Sequence, residues 1–199
     1  MNKKTELLPI IFVALGLGLW MASVKSLLPL VTLAAIFIHE IGHLTAARAL
    51  DIKVSGFHIL SFEARLAAQS NLIPYGKEMA ICAAGPFFNL ATFLGVLLLK
   101  SHGISTPALS FLANVSASLA LLNLLPIGDL DGGRVFLCFF SLTLPPAVAS
   151  LLCRILSFLA LFSLWCISVY SILQLGGSIS LFVFSATLFF RIFATETPT

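Results

Sequence analysis

Residues 27–50 read LLPLVTLAAIFIHEIGHLTAARAL. The run is long and apolar enough to cross a bilayer as a helix. It nevertheless carries His39, Glu40 and His43 in the pattern His-Glu-x-x-His. On a helix, residues four apart share a face, so His39 and His43 can close on one metal ion with Glu40 beside it. Two imidazoles at that spacing suit zinc. The adjacent carboxylate can serve as general base toward a metal-activated water. An ionisable cluster inside an apolar helix is costly, which makes its default reading a functional one.

The rest of the chain agrees with a membrane setting. Its 199 residues are 59% hydrophobic and only 10% charged, against about 25% charged in soluble domains. The mean hydropathy is +1.09. The small net charge of +3 is scattered, with no basic stripe, so no nucleic-acid partner is expected. Cys82, Cys138, Cys153 and Cys166 sit in apolar runs without a C-x-x-C pair. They read as small hydrophobes rather than a disulfide framework.

Hydropathy predicts an all-α polytopic membrane protein of about six transmembrane helices. The spans fall at 7–24, 28–50, 78–99, 107–125, 147–173 and 179–193. The whole chain, 1–199, reads as one integral-membrane domain with no soluble domain. The first apolar stretch is too long for the h-region of a usual signal peptide and is taken as an uncleaved span. Between spans two and three, residues 54–66 alternate in part. His58, Leu60, Phe62, Ala64 and Leu66 would share one face, and Ser61, Glu63 and Arg65 the other. That predicts a small re-entrant β-hairpin-like element against the membrane. Span three contains Gly85-Pro86 and Asn89, and a proline there frees a carbonyl that neighbours must satisfy. Val135 to Leu144 is expected to form a short helix before Pro145-Pro146.

Charge orients this bundle. With a cytoplasmic N-terminus and six spans, Lys3, Lys4, Arg48, Lys53, Arg65, Lys77, Arg134, Arg154 and Arg191 fall on or near the inner face. Only Lys25 and Lys100 fall outside. The bias follows the positive-inside rule. Both termini are then cytoplasmic in a multi-pass cell-membrane protein. His43 lies within the membrane near its cytoplasmic face.

A catalytic zinc takes three protein ligands and an open position. Glu6, Asp51 and Glu196 lie at span ends or tails, and Glu78 suits a helix N-terminus. Asp129 and Asp131 remain, at the inner end of span four, where Gly128, Gly132 and Gly133 let the backbone turn. The residues alone leave both aspartates open. His58 is a further alternative, and His102 falls on the outer face.

His39-Glu40-Ile41-Gly42-His43, Gly85-Pro86-x-x-Asn89 and Asn123-x-x-Pro126-x-x-x-Leu130-Asp131-Gly132 together resemble the site-2 protease family of intramembrane zinc metalloproteases. The resemblance covers roughly residues 30 to 140. It is closest to a compact sporulation branch without PDZ or CBS domains. It implies one Zn²⁺ per chain, held by His39, His43 and Asp131, with Glu40 as catalytic base. It implies that Asn123 positions substrate or stabilises the developing oxyanion, and that Gly85, Pro86 and Asn89 shape the neighbouring wall. It further implies that the 54–66 element offers an edge for an unwound substrate. The substrate would be a membrane-embedded or membrane-associated protein, such as a pro-sigma or anti-sigma factor, with a membrane regulatory partner. Two positions depart from the family pattern: the hairpin turn reads Leu60-Ser61-Phe62-Glu63-Ala64-Arg65, and position 129 is acidic. A different class, a zinc-binding transporter or chaperone-like pseudoprotease, would not need the Glu40 base. A third class, with glutamate as the third ligand, finds no glutamate between Glu78 and Glu196.

Overall fold

The computed structural model describes residues 28–52, 73–176, 179–190 and 192. The first expected span, the 54–66 element and His58 lie outside the described residues. Among those described, all regular structure is helical. There are six helices: α1 (Leu28–Ala49), α2 (Tyr75–Ser101), α3 (Pro107–Asn123), α4 (Asp131–Ser141), α5 (Pro146–Leu175) and α6 (Ser180–Phe189). Three are long and apolar enough to cross a membrane: Leu28–Ala49, Tyr75–Ser101 and Pro146–Gln174. At 17 residues, α3 is about 25 Å long, slightly short of a bilayer core. The last helix, of 10 residues, lies within the expected span 179–193, of which residues 191 and 193 fall outside the described residues.

Helix ends follow local chemistry. Asp51 takes a left-handed conformation, φ 56°. Its N–H bonds to the Arg48 carbonyl at 3.1 Å, and the Ile52 N–H reaches the Ala47 carbonyl at 2.9 Å. This is the Schellman arrangement, with aspartate where glycine is commoner. Thr106 caps α3 by accepting from the Leu109 N–H at 3.2 Å, and Pro107 follows at the first helical position, where no donor is lost. Pro146 opens α5 in the same way, and Gly176, φ 61°, closes it with its N–H on the Ser171 carbonyl.

The chain divides into two compact units, residues 1–72 with 87–119, and residues 73–86 with 120–199. In the first, α1 buries Ala35, His39, Gly42, His43 and Ala47. That is one stripe at helical spacing, made of small residues around the two imidazoles. Small residues let helices approach closely where lipid offers no hydrophobic drive to associate. Ile36 and Phe37 of the same helix are exposed.

In the second unit, Ile127, Leu161, Leu164 and Leu188 form a buried apolar cluster, with Leu125, Leu130, Leu181 and Phe189 against it. The Trp165 ring lies 5.0 Å from that of Phe189. Along α5, Leu151, Ile155, Phe158, Phe162 and Ile167 face outward. An outward face of that size and apolarity is what hydrocarbon tails cover.

Candidate metal centre

His39 and His43 stand one helical turn apart on the buried face of α1. They are 7% and 5% exposed. Their Nε2 atoms are 3.1 Å apart, and the rings meet edge to face with centroids 4.7 Å apart. Two imidazoles on a tetrahedral zinc, each bonded at about 2.1 Å, would hold their nitrogens about 3.4 Å apart. The pair therefore fits zinc with a small adjustment. Glu40 follows His39 on the same turn and is half-buried. Its carboxylate is partly accessible, as a base toward water must be.

Asn89, on α2, is completely buried. Its Nδ2 lies 3.2 Å from His39 Nδ1. The far nitrogen of a metal-binding histidine ordinarily meets a partner of this kind, which fixes the ring. Sequence places Asn89 on the wall of the site by resemblance. The structure gives it a specific contact.

In the second unit, the connection from α3 to α4 is built as a tight double turn. Asn123 is the last residue of α3 and half-buried. The Ile127 N–H bonds to the Leu125 carbonyl at 2.8 Å, across Pro126, and the Leu130 N–H to the Ile127 carbonyl at 2.8 Å. The hydroxyl of Ser157, on α5, holds this turn from the side. It donates to the Pro126 carbonyl at 3.0 Å and accepts from the Gly128 N–H at 3.1 Å. Ile127, wholly buried, anchors the turn in the apolar cluster.

Asp129 lies within the turn and Asp131 is the first residue of α4; both are half-buried. The expected short helix from Val135 thus begins four residues earlier, at Asp131. The reason is packing. A Cβ on Gly132 would collide with the Leu124 and Leu125 carbonyl groups, and one on Gly133 with the Ile127 carbonyl. The glycines are not there to let the backbone leave the helix. They let α4 lie against the turn. Asp131 consequently sits at a helix N-terminus, where the partial positive charge of the macrodipole favours a carboxylate.

Glu78 was expected only to complement a helix N-terminus. It also accepts from Arg134 Nη2 at 3.0 Å, with the side chains 20% and 29% exposed for Arg134 and Glu78. On the same helix as Arg134, the Cys138 thiol is buried and pushed up to about 12, first by that burial and then by the Glu78 carboxylate. Both effects favour the protonated thiol over the thiolate. His102 follows α2 in an exposed turn.

Comparison with known proteins agrees with the motif resemblance. Residues 98–164 match Peptidase family M50, a window that holds Asn123 and Asp131 but not the histidine pair. Stage IV sporulation protein FB of Bacillus subtilis is 29% identical over 153 residues, covering 73% of this chain and 52% of that protein. Two further relatives carry zinc metalloprotease as a provisional name. One is sll0528 of Synechocystis sp., 34% identical over 53% of this chain and 29% of that protein. The other is Rip3 of Mycobacterium tuberculosis, 34% identical over 52% and 28%. The chain thus spans about half the length of the first relative and under a third of the others.

Proposed function

We propose that this chain is an intramembrane zinc metalloprotease that hydrolyses a peptide bond of a membrane-embedded or membrane-associated protein. The observation that carries the reading is the buried His39–His43 pair. Its Nε2 atoms converge at 3.1 Å beside Glu40, inside a helix apolar enough to span a bilayer.

His39, His43 and Asp131 are the residues that would hold zinc, one ion per chain. Zinc supplies Lewis acidity there, making water acidic near neutral pH and polarising a carbonyl. Glu40 takes a proton from the attacking water as oxygen bonds to the carbonyl carbon. It returns that proton to the nitrogen as the carbon–nitrogen bond breaks. Asn123 positions the substrate backbone or donates to the developing oxyanion. A helical substrate must unwind first, because its carbonyls are already hydrogen-bonded.

The bundle carries six spans with both termini in the cytoplasm and the site near that face. The substrate class is read from the motif resemblance: a signalling protein such as a pro-sigma or anti-sigma factor, with a membrane regulatory partner. The test is co-expression with candidate substrates. Glu40→Gln should keep zinc and lower cleavage by ~10²-fold or more, whereas Asp131→Asn should lower both zinc content and cleavage. Undiminished proteolysis by Glu40→Gln would sink the assignment.

A further inference from the structure

We propose that Asn89 is a positioning residue for the metal, acting through its side-chain oxygen on His39. This rests on the zinc reading above. A neutral imidazole carries one N–H and one lone pair. If His39 Nε2 is to bind a cation, its lone pair must be there, and the proton must be on Nδ1. That proton needs an acceptor, because Nδ1 is buried with the rest of the ring.

The group facing Nδ1 is the Asn89 carboxamide, 3.2 Å away. A carboxamide can present either end to the same partner by a half-turn about its last bond, and the two ends are nearly the same size. With Nδ2 toward the ring, the amide donates to Nδ1, the ring proton moves to Nε2, and the metal position is blocked. In that orientation Asn89 Oδ1 is buried with no hydrogen-bond partner among the described residues. With Oδ1 toward the ring, it accepts the Nδ1–H, the orphaned oxygen gains a donor, and Nε2 is left with its lone pair. The metal-competent arrangement therefore gives the buried oxygen a partner, while Nδ2 takes the buried position that the oxygen leaves.

The Asn89 end of the contact thus sets a chemical state, not merely a ring angle. With the nitrogen inward, His39 Nε2–H donates to His43 Nε2, a closed pair that excludes a cation. With the oxygen inward, His39 Nε2 keeps its lone pair, and a cation can bind where the His43 Nε2 lone pair meets it. Turning one amide separates a metal-binding pair from a hydrogen-bonded one.

The test uses the full chain in detergent micelles, with zinc alone as ligand. Zinc affinity is read by competition with a chromophoric chelator. Asn89→Leu, which keeps the volume and removes the acceptor, should weaken zinc binding ~10- to 100-fold. Asn89→Asp, which can only accept, should stay within about threefold of wild type. Equal affinity for wild type and Asn89→Leu would overturn the proposal, as would an Asn89→Asp as weak as Asn89→Leu. Nitrogen-15 spectra of zinc-loaded wild type give a second readout that needs no variant. They should show the His39 proton on Nδ1 and the metal on Nε2; the reverse assignment overturns the proposal. A wild type that takes up no zinc would overturn the metal reading itself, a result distinguishable from failure of the Asn89 role alone.

Discussion

Helix α2 carries two polar residues with opposite fates. Near its start, Glu78 meets Arg134, a donor against an acceptor and a negative charge against a positive one. Eleven residues on, Asn89 meets His39, which in turn meets His43. The first contact is complete in itself. In the second, two chemically identical atoms, both Nε2, converge at 3.1 Å. One can donate to the other only if a single proton lies between them; if both present lone pairs they repel, and a cation can take the proton's place. A polar pair that closes on itself holds a fold, whereas one that brings like ends together has room for a third party.

Breaking the open pair should have the largest consequence. His43→Ala should lower zinc affinity by ~10²-fold or more, measured as metal per chain after dialysis against a weak chelator. Arg134→Gln should leave zinc content near wild type. If the two outcomes were exchanged, the distinction between the pairs would fail.

Next comes the packing beneath the closed pair. Gly133→Ala forces a methyl into the Ile127 carbonyl and should cost about 1–3 kcal/mol, read as a lower thermal midpoint in micelles. Smaller still is the ion pair itself. Because both side chains keep some exposure, Glu78→Gln or Arg134→Gln should each cost about 1–2 kcal/mol. The double substitution should cost less than their sum in a mutant cycle. Additive costs would mean the pair contributes nothing as a pair.

The smallest effect concerns Cys138. Its thiol is displaced from an ordinary 9.0 to about 12, so the folded protein disfavours the thiolate. Its contribution to stability falls as pH climbs from about 9 toward about 12. At pH 8, N-ethylmaleimide should label Cys138 in sodium dodecyl sulfate but not in the folded protein, as read by peptide mass.

The helices were largely legible because apolar length is a local property. Span five, expected at 147–173, is observed as Pro146–Leu175, and span three, expected at 78–99, as Tyr75–Ser101. The histidine pair was legible for the same reason, since four-residue spacing fixes a helical face. What the sequence concealed was partnership across distance. Periodicity says that Asn89 lies on a face but not that His39 waits fifty positions earlier, nor that Glu78 pairs with Arg134 fifty-six positions later. The start of α4 was misplaced for a different reason. Gly132 and Gly133 depress helix propensity, so the run looked like a loop, but close packing against Leu124 and Ile127 outweighs that penalty. Ser157 gave no signal, because a serine in an apolar span usually bonds back to its own helix.

That serine has a consequence in time as well as in space. One hydroxyl receives the Gly128 N–H while giving its own proton to Pro126, so the amide can meet deuterium only when α5 lets go of the turn. The exchange rate of the Gly128 amide is therefore a clock for the opening of the segment that ends in Asp131. Ser157→Ala would set that clock running fast with no change in the composition of the candidate ligand set.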